Sequence, residues 1–102
     1  MANTTLSAQN GEGEITLSAQ VWKESTSYVA CSPELDISSC GKTAAQAKSS
    51  LRQAVSLFME QAARMGTLAT ILEESGFERR GKTYRPRPVL AREKMKLALP
   101  AA

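Results

Sequence analysis

The sequence predicts an α+β fold of two layers, an antiparallel sheet in the order β-β-β-α-(short α)-β with one long helix packed across it. Three observations lead to that expectation. Residues 14–40 hold three short strand-like runs separated by turn signals. Thr43 then opens a long amphipathic pattern. Near the end, Met95, Leu97 and Leu99 alternate with Lys94, Lys96 and Ala98, the spacing of a further strand, with a short helix from Val89 to Leu97 as the alternative.

The first strand is predicted from Glu14, where Ile15, Leu17, Ala19 and Val21 alternate with Thr16, Ser18 and Gln20. A period of two places one set on a buried face and the other on an open one. Lys23-Glu24-Ser25 makes a polar turn. Thr26 to Cys31 forms a second strand of β-favouring residues, which Pro33 ends because it cannot donate to a ladder. Asp36 to Cys40 supplies a short third strand, completing a meander.

Thr5-Leu6-Ser7-Ala8-Gln9 recurs as Thr16-Leu17-Ser18-Ala19-Gln20, with Asn10-Gly11 between the copies. Asn-Gly is a strong hairpin signal. One reading is therefore an extra N-terminal strand over Thr5–Gln9; the segment is polar, however, so fraying is the expectation, leaving 1–13 flexible or loosely paired.

The helix starts on a capping box, Thr43-Ala44-Ala45-Gln46. Ala44, Ala47, Leu51, Ala54, Val55, Phe58, Met59, Ala62 and Met65 fall in steps of three and four, one stripe of roughly 22 residues of helix. Gly66 stops it. A shorter helix follows, capped by Thr67, with Leu68, Ile71 and Leu72 inward and Gly76 at its end. Pro86 and Pro88 make Arg79–Pro88 a linker or an irregular edge.

At 102 residues the chain suits one domain with a small core, for which homo-oligomerisation, as a dimer or tetramer, would add burial. No apolar run reaches the roughly 18 residues of a membrane span, and the start lacks the basic and apolar stretches of a secretory signal, so a cytoplasmic protein is expected. Charge is uneven. Residues 1–78 carry five basic and nine acidic side chains; residues 79–102 carry eight basic ones against Glu93. Such a tail either contacts an anionic partner or stands solvated beside a sheet edge.

Reacting groups are scarce. There is no histidine to serve as a base for serine or cysteine, and none to help hold zinc. Cys31 and Cys40 are expected as free structural thiols. Gly41-Lys42-Thr43 superficially matches the end of a phosphate loop, but the upstream glycine is missing, so it is better explained as strand exit and helix cap. Glu34-x-Asp36 and Glu73-Glu74 lack a cleft that could separate their pKa values. No catalytic residue, metal site or cofactor is therefore predicted, and the chain is not expected to be an enzyme. Arg79, Arg80, Lys82, Tyr84, Arg85 and Arg87 interleave cations with one aromatic, as single-strand binders do; they are the candidate nucleic-acid contacts.

Tyr28-Val29-Ala30, then Pro33-Glu34-Leu35-Asp36-Ile37, then Gly41-Lys42-Thr43 and the Ala47, Leu51, Ala54, Val55 stripe together resemble the HicB family, antitoxin partners of HicA toxins and their solitary relatives. The resemblance covers about residues 14–62. It implies a meander, a helix and a closing strand, similar to a reduced RNase H-like or dsRNA-binding layout. It further implies a dimeric or tetrameric protein that neutralises a small basic ribonuclease by masking its active site. Tyr28, Pro33, Glu34, Leu35 and Asp36 are the residues it offers for partner contact, with Gly41 and Thr43 shaping the unit. Complete antitoxins of that kind add a DNA-binding module, which has no counterpart expected here. The organisation predicted is a loose segment at 1–13, a HicB-like α+β domain at 14–78 and a basic tail at 79–102 that contributes the closing strand. The alternative function is a nucleic-acid-binding accessory protein acting through Arg79–Lys96.

Overall fold

The computed structural model describes the backbone of residues 2–9 and the whole of residues 13–101. In chain order the elements are β1 (Ala2–Gln9), β2 (Glu14–Glu24), β3 (Ser27–Ser32), β4 (Ile37–Gly41), α1 (Ala44–Arg64), α2 (Leu68–Glu74), β5 (Phe77–Arg80) and β6 (Thr83–Pro86). The α+β expectation is met: a mixed six-stranded sheet carries the long helix α1 across it.

The alternation read in the sequence sets the faces. Ile15, Leu17, Ala19 and Val21 are buried, and α1 packs over β2, β3 and β4 on that side. From α1 itself Ala47, Leu51, Val55, Met59 and Ala62 are buried, each three or four residues from the last. Leu51 and Leu72 are enclosed completely, and burial of such a side chain contributes about 1.5–3 kcal/mol. The capping box forms with a small variation. The Gln46 N–H donates to Thr43 Oγ1 at 3.0 Å, while Gln46 Oε1 accepts from the Lys42 N–H, also at 3.0 Å, instead of the cap residue's own N–H.

Strand β2 is the spine of the sheet. Gln20 and Val21 pair with both β1 and β3, and Glu14 and Ile15 pair with both β1 and β6. A strand residue has one neighbour on each side, so β1 runs along one edge of β2 while β3 and β6 share the other. The β2–β6 pair is parallel; the rest are antiparallel.

Three expectations need correction. Where fraying is expected at the N-terminus, Ala2–Gln9 pairs over its whole length with β2. Its register brings the repeated sequences face to face, Thr5 against Ser18, Leu6 against Leu17 and Ser7 against Thr16. Asn10-Gly11 itself lies outside the described residues. Second, Arg79–Pro88 is no irregular linker. Residues 77–86 form the β5–β6 hairpin, turned by Gly81 at φ 64°, a conformation that glycine reaches without strain. Third, the closing strand is β6 and not Met95–Leu99. Phe77 and Tyr84 of the hairpin already pack with the core, and residues 87–101 leave the sheet without regular structure.

Candidate partner-binding surface

With both helices on one side, the other face of β2, β3 and β4 stays open. Successive residues of a strand alternate between faces, so Glu14, Thr16, Ser18, Gln20, Trp22 and Glu24 project there from β2. Register carries the surface sideways: Trp22 lies opposite Val29, and Val29 opposite Cys40, making one row over three strands. The next row is Gln20, Cys31 and Ser38. Trp22 is half-buried, and its Nε1–H donates to Glu24 Oε1 at 3.1 Å.

Residues 13–41 carry four carboxylates, Glu14, Glu24, Glu34 and Asp36, against the single cation Lys23. Lys23 stands 5.8 Å from the centre of the Tyr28 ring, its cross-strand partner. The meander therefore presents a negative surface with a small apolar row at its middle.

The predicted partner residues occupy different roles within this unit. Tyr28 and Leu35 are half-buried and pack against the core from below, whereas Pro33 and Asp36 are exposed at the β3–β4 turn. Asp36 sits at φ 55°, the left-handed region that Asp tolerates better than most residues, and its N–H donates to the Pro33 carbonyl at 3.3 Å. Glu34 points inward along the sheet. Its carboxylate accepts from the Ser18 N–H at 3.2 and 3.3 Å, from Ser18 Oγ at 2.6 Å and from the buried Ser32 Oγ at 3.3 Å. Gly41 lets β4 run against α1, because a Cβ there would lie 2.7 Å from the Ala47 nitrogen.

The two cysteines lie on the open face in adjacent rows, Cys31 opposite Ser38 and Cys40 opposite Val29, and both are free. Burial pushes the Cys31 thiol up from its ordinary value, with Asp36 and Glu34 adding to the effect. A raised thiol is a poor nucleophile at neutral pH.

The candidate nucleic-acid contacts are divided by the fold. Arg79, Arg80, Lys82, Tyr84 and Arg85 belong to the β5–β6 hairpin, while Arg87 begins the tail. Arg79 stands 6.0 Å from the centre of the Tyr84 ring, opposite it in the hairpin, and its Nε–H donates to the Gly81 carbonyl at 2.9 Å. One feature escaped sequence reasoning: a cleft of about 430 Å³ between α1, α2 and the hairpin, floored by Met59, Leu72 and Tyr84 and rimmed by Glu60 and Lys82. Its walls come from elements far apart in the chain, so no local pattern marks it.

Among the described residues, no three His, Cys, Asp or Glu side chains group as metal ligands would, and no helix is long and apolar enough to cross a membrane. Comparison with known proteins finds no matching family model, no matching curated protein and no matching solved structure.

Proposed function

We propose that this chain is a non-enzymatic binding domain, acting as a HicB-like antitoxin that covers the active site of a small basic ribonuclease. The observation that carries the reading is the open, negatively charged face of the β2–β3–β4 meander, with the Trp22–Val29–Cys40 row at its centre. A ribonuclease that grips RNA phosphates presents cations around its active site. Opposed charge steers the two surfaces together, and the apolar row supplies contact area once water is expelled. Asp36 and Glu24 are the outward carboxylates; Glu34, held by Ser18, keeps the turn in shape. The work would be done in the cytoplasm, as a dimer or tetramer.

The test is inhibition of RNA cleavage by a small HicA-type ribonuclease encoded beside this chain. Stoichiometric chain should abolish cleavage, and the double charge reversal Glu24→Lys with Asp36→Lys should weaken inhibition by about tenfold or more. Full cleavage in the presence of excess folded chain would remove the antitoxin reading.

A second reading follows from the exposed cations of the tail, Arg87, Arg92, Lys94 and Lys96. If they bind nucleic acid through phosphates, affinity must fall steeply with salt. A titration with single-stranded RNA that shows no binding at low ionic strength would eliminate it.

A further inference from the structure

We propose that the tail of one copy adds as a strand to the free edge of β4 in a second copy, and that reciprocal exchange makes a two-fold dimer. Residues 87–101 leave β6 with every side chain exposed, including apolar ones that a soluble chain ordinarily covers. Met95 is 75% exposed, Leu97 79% and Leu99 92%. Between Pro88 and Pro100 nothing interrupts pairing, and from Lys94 to Leu99 apolar and basic or small residues alternate with the period of a strand.

The receiving edge is equally specific. Among the described residues β4 ends the sheet and pairs with β3 alone, so its outer backbone groups have no ladder there. Ile37-Ser38-Ser39-Cys40-Gly41 contains none of the lysines or prolines that usually guard such an edge. Strand addition of this kind draws affinity from backbone hydrogen bonds and specificity from alternate side chains. Charge favours the pairing: the exposed cations Arg92, Lys94 and Lys96 of the tail complement Asp36, the outward carboxylate of the β3–β4 turn.

The donor is a second molecule because of where the tail departs. The Arg87 N–H donates to the Gly76 carbonyl at 3.2 Å, fixing the exit beside β5 and β6. The path of paired strands from there to the chain's own β4 passes through both β2 and β3. In a two-fold pair, each copy gives one tail and takes one, which leaves neither β4 edge open. The exchange does not rest on the antitoxin reading; a domain without any toxin would pair in the same way.

The experiment measures the solution mass of the full chain at low salt by light scattering, beside two full-length variants outside the core, Leu97→Asp and Ser38→Lys. The expected parent mass is twice 11.0 kDa. Each variant should keep its circular dichroism spectrum and associate about tenfold more weakly, the loss of roughly one buried leucine for the first and a charged edge blocker for the second. Ser38→Glu, which adds a carboxylate facing the tail lysines, should tighten association relative to Ser38→Lys. A monomeric parent at the highest attainable concentration overturns the proposal, as does a dimer that both variants leave unchanged. So does a chain whose tail is shielded from trypsin only when single-stranded RNA is added, since the tail's partner would then be nucleic acid.

Discussion

Glu34 and Ser18 meet where the edge of β2 away from β1 has no paired strand among the described residues. Along that edge β3 pairs with residues 20–24 and β6 with residues 14 and 15, and Glu34 occupies the interval by taking both the N–H and the hydroxyl of Ser18. Pro33 turns the chain away from the ladder, and the side chain after it supplies the acceptor that a strand would have given.

Replacing that acceptor should be costly. Glu34→Ala strands the Ser18 N–H and the buried Ser32 hydroxyl, an expected loss of about 1–3 kcal/mol. Urea unfolding measures it, with the slope unchanged from the parent. A midpoint within error of the parent would mean that water replaces the carboxylate freely.

Gly41→Ala tests the close approach of β4 to α1. The new methyl would meet the Ala47 nitrogen at 2.7 Å and the Gln46 carbonyl carbon at 2.9 Å, backbone atoms that cannot turn aside. Relief requires the helix start to shift, at about 1–3 kcal/mol. Exchange of the Ala47 amide with solvent should accelerate as well; a parent-like exchange rate and midpoint would show that the helix moves away easily.

Ser25 gives an effect of opposite sign. It occupies a two-residue turn between Glu24 and Ser27 at φ 53°, exposed and outside the left-handed tolerance of most side chains. Ser25→Gly should stabilise the domain by up to about 1 kcal/mol, read as a higher melting temperature. A lower melting temperature would indicate that the serine hydroxyl contributes more than the strain removes.

The Cys31 thiol should react slowly and with a displaced pH profile. Its folded value is raised above the ordinary 9.0 by burial first and by Asp36 and Glu34 next. Between 9.0 and the folded value, the unfolded chain has lost this proton while the folded one keeps it, so stability falls as pH rises through that window. Iodoacetamide labelling should lag behind that of a small thiol at pH 8, and Asp36→Asn should bring the profile closer to ordinary. Identical profiles with and without Asp36 would exclude a charge effect.

Where local pattern and tertiary role coincide, the sequence is a good guide. Ile15, Leu17, Ala19 and Val21 announce a half-buried strand and are one, and Thr43 with Gln46 caps α1 as their spacing implies. Legibility fails where a segment's partner lies elsewhere. Met95, Leu97 and Leu99 have a strand's period, yet period says nothing about whether the core still has room; Phe77 and Tyr84 had filled that side. Pro86 suggested a break, although it ends β6 beyond the pairing with β2, which covers only Thr83 and Tyr84, where that side of the strand asks for no ladder donor. Glu34 looked like surface charge because its contacts depend on Ser18, sixteen residues earlier.

The parallel pairing of Glu14 with Thr83 joins residues from nearly opposite ends of the chain. Closing so large a loop costs entropy before any contact rewards it. During synthesis the meander and α1 can assemble while residues 77–86 are still being made. The residues of the open face are thus all synthesised before the β5–β6 hairpin that completes the sheet.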